Sequence, residues 1–191
     1  MATVGLSKPY YAKYANSGTT ITYTGFAALG KAVELSVDLD DNSTNPLYAD
    51  NAIAESVSVF SGGTLTITTD DLSMSAAKDI LGLTQGTDSS EMIFKLDSLA
   101  PYVGFGVIVK KIQSGSVKWL AVVFPKVQFS NPGIEAVTQG DTIDWQTPEL
   151  SATIMRDDSA DGVWQTWKLC DSEADAYSYL QTKIGGSAVT T

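Results

Sequence analysis

The sequence predicts an all-β protein with two short helices. Three observations predict it. The segment "KAVELSVDLD" (31–40) alternates strictly between apolar and polar residues. The segment "PYVGFGVIVKKIQSGSVKWLAVVFPKVQF" (101–129) reads as two long strands around one tight turn. Only two stretches carry helix caps and helical spacing.

Taken in order, strand 31–40 sets Val33, Leu35, Val37 and Leu39 on one face and Glu34, Ser36, Asp38 and Asp40 on the other. That pattern makes one buried face and one wet, acidic face. "SVSVFSGGTLTITTD" (56–70) is rich in Val, Thr and Ile, with Gly62-Gly63 as a bulge or bend. Ser73 caps a helix over "MSAAKDIL", which Gly82 stops. "MIFKLD" (92–97) reads as a short strand. The long hairpin follows, turning at Ser114-Gly115. Gly104 and Gly106 flank Phe105, which predicts a side chain packed close over the backbone. "DTIDWQTPELSATIM" (141–155) is a strand interrupted at Pro148, since proline cannot donate to a ladder. Val163 to Cys170 forms the last strand. Asp171 or Ser172 caps "EADAYSYLQTKI", with Tyr177, Leu180 and Ile184 on one face and Gly185 beyond. No internal repeat or linker divides the chain, so 1–191 reads as a single domain with a mostly antiparallel sandwich or barrel.

Composition bounds the chemistry. The chain has 191 residues, 43% of them apolar and 18% charged, as expected of a globular domain. No run of 18 apolar residues is present, and "MATVGLSKPYYAKY" lacks the apolar core of a secretory signal. Histidine is absent, which removes the commonest general base and metal ligand. The single Cys170 allows no internal disulfide and reads as a small packing residue. No phosphate loop or nucleophile elbow occurs. "DDSADG" (157–162) has the opening spacing of a calcium loop, but Lys168 stands where the closing Glu belongs, so it reads as a hairpin turn. The carboxylates of 31–40 lack the aromatic cleft of a glycosidase pair. Trp119, Trp145, Trp164 and Trp167 fall at strand positions, where core or interface is the expected role. Neither a catalytic residue nor a cofactor or metal site is expected.

The net charge is −10 and unevenly spread. Ala32 to Ala77 contains no Lys or Arg, while Met92 to Ile134 sets Lys95, Lys110, Lys111, Lys118 and Lys126 against Asp97 alone. Such asymmetry fits copies meeting through opposite patches, and it argues against ordinary DNA binding. Between strands 31–40 and 56–70 lies "DNSTNPLYADNAIAE" (41–55), long for a hairpin connection. Its Leu47, Tyr48 and Ile53 either fold back on the domain or dock on another subunit. Docked, each would contribute about 1.5–3 kcal/mol before ordering costs.

The segments "VGLSKPYYA", "LYADNAIAES", "APYVGFGV", "FPKVQFSNPGIEAVTQGDTIDWQTPEL" and "SEADAYSYLQTKIG" occur in an order and spacing that resembles one family. It is that of the major tail proteins, or tail tube subunits, of long non-contractile-tailed phages of Gram-positive bacteria. The resemblance covers nearly the whole chain. It implies a β-sandwich-like tail-tube fold whose subunits close into a continuous β-barrel in a hexameric ring, assembled in the host cytoplasm and located in the virion tail. It also implies an N-terminal arm (about 1–15), a ring-stacking loop (41–55, with Pro46, Leu47, Tyr48, Asp50, Ile53 and Glu55) and a C-terminal helix (about 172–184). The implied partners are further copies of the chain, a tape measure protein, a tail terminator and a distal tail protein. Genomic DNA would pass through the lumen without sequence-specific binding. Within that frame Glu34, Asp38 and Asp40 are expected to face the lumen, and Lys110, Lys111 and Lys118 to pair between subunits. The alternatives are a tube subunit of a contractile tail, bacteriocin or secretion system, and a carbohydrate-binding β-sandwich using the tryptophans.

Overall fold

A computed structural model describes the chain except residues 1, 19, 44–46, 50–51, 56–57, 89–90, 114, 134–137, 139–146, 187–188 and 191; for residues 2, 41–43, 47–49, 52–55, 58–59 and 189–190 it describes the backbone alone. The elements are β1 (Ala2–Leu6), β2 (Tyr10–Asn16), β3 (Thr20–Ala28), β4 (Ala32–Ser43), β5 (Leu47–Ala49), β6 (Ala52–Glu55), β7 (Ser58–Thr69), α1 (Met74–Leu81), β8 (Thr84–Gln85), β9 (Met92–Ile93), β10 (Tyr102–Gln113), β11 (Ser116–Phe129), β12 (Glu149–Met155), β13 (Thr166–Cys170), α2 (Glu173–Ile184) and β14 (Val189–Thr190). The all-β class with two short helices holds.

Ten strands form one sheet in the order β14-β3-β2-β10-β11-β12-β7-β4, with β1 added to β10 and β13 to β11. Its spine is the β10–β11 hairpin, paired from Tyr102↔Gln128 to Gln113↔Ser116, with Gly115 at φ +77° in the turn. Each spine strand is flanked twice. β2 pairs with the start of β10 and β1 with its end, while β13 pairs with the start of β11 and β12 with its end. The sheet then curls, so that the first residues of β4, last in the order, lie beside β1 across a shared groove. Among the described residues the sheet keeps two ends, β4 and β14, and no barrel closes within the chain.

Both faces of the spine are buried, which is why β10 reads as a nearly continuous apolar run. On the concave face Val103, Phe105, Val107, Val122 and Phe124 meet Leu65, Ile67, Leu150 and Ile154, and α1 covers one end with Ile80 and Leu81. On the other face Ile108, Ala121 and Val123 meet Leu180 and Ile184 of α2. α1 is capped by Ser73 and ended by Gly82 at φ +67°, as the sequence predicts; α2 is capped by Ser172 rather than Asp171. Gly104 has the role its spacing predicts: a Cβ there would stand 2.6 Å from Tyr23 and 2.8 Å from Ile184.

The N-terminal residues expected as an arm form β1 and β2, both hydrogen-bonded to β10 of the same chain. β2 escapes a periodicity reading because Tyr11 enters one core and Ala12 the other. The connection 41–55 is shorter than the spacing suggests, since β4 runs to Ser43 and β5 pairs with β6. "MIFKLD" supplies only the two-residue β9, paired with β8. The strand expected over 141–155 begins at Glu149, directly after Pro148, with 141–146 outside the described residues. Trp145 and Ser114 also lie outside them.

Residues 157–162 form a turn, closed by Asp157 N–H donating to Val163 O at 2.8 Å. Its Asp158 accepts from Lys126 Nζ at 2.9 Å and from the Tyr14 hydroxyl at 2.7 Å. The Lys126 ammonium also lies 4.6 Å from the Tyr102 ring centroid and 5.3 Å from that of Tyr14. The hydrogen bonds from Lys126 and Tyr14 hold the Asp158 carboxyl below its ordinary 3.8. A depressed carboxyl stabilises the fold above its unfolded value, and that contribution is lost as pH falls through the folded one. Asp158→Asn should therefore lower the urea midpoint near neutral pH by the equivalent of about 1 kcal/mol. The gap to wild type should be smaller at an acid pH below 3.8, shrinking as pH falls through the lowered folded value, as the linkage requires. Urea titrations at the two pH values check this; an equal gap at both would contradict it.

Candidate assembly surfaces

β4 is an edge strand twelve residues long. Its register against β7 sets Glu34 opposite Thr68, Ser36 opposite Thr66 and Asp38 opposite Thr64; β12 continues the rungs with Glu149, Ser151 and Thr153. Three rungs result: Glu34-Thr68-Glu149, Ser36-Thr66-Ser151 and Asp38-Thr64-Thr153. The alternate residues Leu35, Val37, Leu65, Ile67, Leu150, Ala152 and Ile154 turn into the core. The outer face of these strands thus carries hydroxyls and carboxylates with no Lys or Arg on any rung. Glu34, Asp38 and Asp40 are all exposed. Asp40 lies one rung further on, opposite Gly62, and its carbonyl accepts from Ser61 Oγ at 2.6 Å.

This face extends beyond the residues that sequence reasoning singled out. Thr64, Thr66, Thr68, Glu149, Ser151 and Thr153 join it, and the alternation in "TLTIT" and "ELSATI" carried the signal. What sequence lacked was the register that places three strands side by side. Two apolar positions of β4 also depart from the alternation. A bulge between Ala32 and Glu34 leaves Val33 58% exposed, and Leu39, near the second bulge at Asp40/Asp41, is 42% exposed.

Lys110, Lys111 and Lys118 gather near the hairpin tip, where Lys111 lines the same groove as Glu34. Lys111 and Lys118 face each other in the β10–β11 register. Lys118 is ion-paired with Asp171 of the same chain, beside the start of α2. Lys111 lies 5.9 Å from the Trp167 ring centroid and Lys110 5.6 Å from that of Trp119. Each of the three expected inter-subunit lysines thus has a contact within its own chain. Leu47–Ala49 and Ala52–Glu55 form β5 and β6; Pro46 and Asp50 lie outside the described residues, as do the side chains of Leu47, Tyr48, Ile53 and Glu55.

Among the described residues no group of three acidic or Cys side chains could hold a metal ion. A recess of about 290 Å3 lies between Tyr23, Pro125, Val163 and Lys183, and the Ser159 hydroxyl on its wall donates to Asp157 Oδ1 at 2.6 Å within the 157–162 turn. The Tyr23 hydroxyl at its wall is committed to Pro125 O at 3.0 Å. No protein-family model matches the chain, and no curated protein matches it either.

Proposed function

We propose that the chain is a self-assembling structural subunit of a phage tail tube. Copies join sheet to sheet, stack as rings with the help of the 41–55 segment, and enclose a bore through which DNA passes. The observation that carries this reading is the cation-free face of β4, β7 and β12, ending in a long edge strand whose outer side pairs with no strand among the described residues. A soluble monomer normally protects such an edge with charged side chains, proline, bulges or a covering element. β4 carries two bulges and exposed acids but no lysine or proline, and joining to another copy would remove the edge by closure.

A wall for DNA has to let phosphates slide. Carboxylates repel them, and hydroxyls offer only weak neutral contacts, so no position along the wall holds the polymer. The test is negative-stain microscopy of the purified chain at high concentration. Hollow tubes or stacked rings are expected; a monodisperse monomer under all conditions would overturn the reading.

A further inference from the structure

Two apolar surfaces lie uncovered at opposite ends of the β10–β11 spine. Toward the hairpin tip, a groove of about 470 Å3 is lined by Val33, Val109, Leu120 and Trp167, with Glu34 and Lys111 on its rim. Its indole is 64% exposed, on the concave face that α1 covers only at the other end. At the spine's other end, the segment leading into Tyr102 presents Phe94 (61% exposed), Leu96 (108%) and Leu99 (83%). This segment is shaped as a knob. Ser98 N–H donates to Lys95 O at 3.1 Å and Lys95 N–H to Ser98 Oγ at 3.2 Å, which sets Leu96 within the turn. Gln128 Nε2 donates to Ala100 O at 2.8 Å and ties its base to β11.

We infer that the knob of one copy seats in the groove of the next. The two cannot meet within a chain, because Val109 and Tyr102 stand seven residues apart on an extended strand, roughly 24 Å. Their charges are complementary. Leu96 is flanked by Lys95 and Asp97, and the groove rim carries Glu34 and Lys111. Among the described residues no ion pair is made by Lys95, Asp97, Glu34 or Lys111. Patches of this kind mark association sites. Because knob and groove are different surfaces, the contact is heterologous, and repetition extends it as a row instead of stopping at a dimer. This contact deepens the tube reading by naming an axial joint, whereas the β4 edge supplies the lateral one.

The test uses the full chain with Leu96→Cys or Trp167→Cys, mixed and treated with a short bismaleimide. Cys170 is 5% exposed and leaves one reactive thiol per variant. The mixture is expected to give at least tenfold more covalent dimer than either variant alone. No dimer in the mixture, or equal dimer from Leu96→Cys alone, overturns the contact. Wild-type tubes are scored separately by microscopy. Tubes without the mixed cross-link remove this joint and leave the tube reading standing; the cross-link without tubes does the reverse.

Discussion

Tubes assembled from a chain carrying Asp38→Lys and Asp40→Lys are expected to hold double-stranded DNA that wild-type tubes release. The individual repulsions are small. Two unit charges 8 Å apart in water interact by about 0.5 kcal/mol before screening, less than the thermal energy. At physiological salt the Debye length is about 8 Å, so the carboxylates act only on phosphates close to the wall. Their effect lies in what is missing: a wall without cations offers no counterion-releasing contacts. Two lysines per subunit create them. For two phosphates neutralised, affinity should fall on the order of twelvefold between 50 and 200 mM salt, following the counterion-release slope. A salt-dependent DNA co-sedimentation assay on assembled tubes reads this directly. The two positions are exposed and hydrogen-bond through their backbones, so folding should be preserved. Mutant tubes that bind DNA no better than wild type would show that these residues do not line the bore.

Phe105→Ala should produce the largest loss of stability. Phe105 is fully buried, with ring centroids 6.3 Å from Phe124 and 6.1 Å from Phe129. It sits between the two glycines that admit Tyr23 and α2 on the opposite face, so the backbone has little freedom to collapse into the vacancy. Truncation of a buried Phe costs about 3–5 kcal/mol, a large share of the roughly 5–15 kcal/mol typical of a domain. A chain of this length should lose about 6–20 °C in Tm. Circular dichroism melting of the dispersed subunit measures it. A drop of under about 3 °C would mean that this part of the core is not packed as described. The variant should also assemble poorly, since association stabilises only the folded subunit.

These two expectations rest on different levels of legibility. The core was readable: the hairpin, both helices with their caps and the Gly104-Phe105-Gly106 packing follow from patterns a few residues long. The acidic row of β4 was readable for the same reason, since Leu35 and Val37 alternate with Glu34, Ser36 and Asp38. The N-terminal strands were not. β2 is buried on both faces by small or amphipathic residues, so neither period 2 nor an apolar run marks it. The bulges of β4 were also hidden, because a one-residue slip leaves no trace in composition. The wide polar face was half visible: each strand announced its own wet side, but only pairing put Glu149, Thr68 and Glu34 on one rung. The groove at the hairpin tip depends on the sheet curling until β4 meets β1, a long-range feature that local pattern does not encode.

The central claim is that copies of the chain join by their sheet edges around an anionic bore. The most direct measurement is a helical cryo-electron-microscopy reconstruction of tubes formed by the wild-type chain. The account predicts β4 hydrogen-bonded to a strand of the neighbouring subunit, with Glu34, Asp38 and Asp40 on the inner wall beside Thr64, Thr66 and Thr68. An inner wall lined by the hairpin-tip lysines, or a β4 edge left open to solvent in the assembled tube, would contradict it.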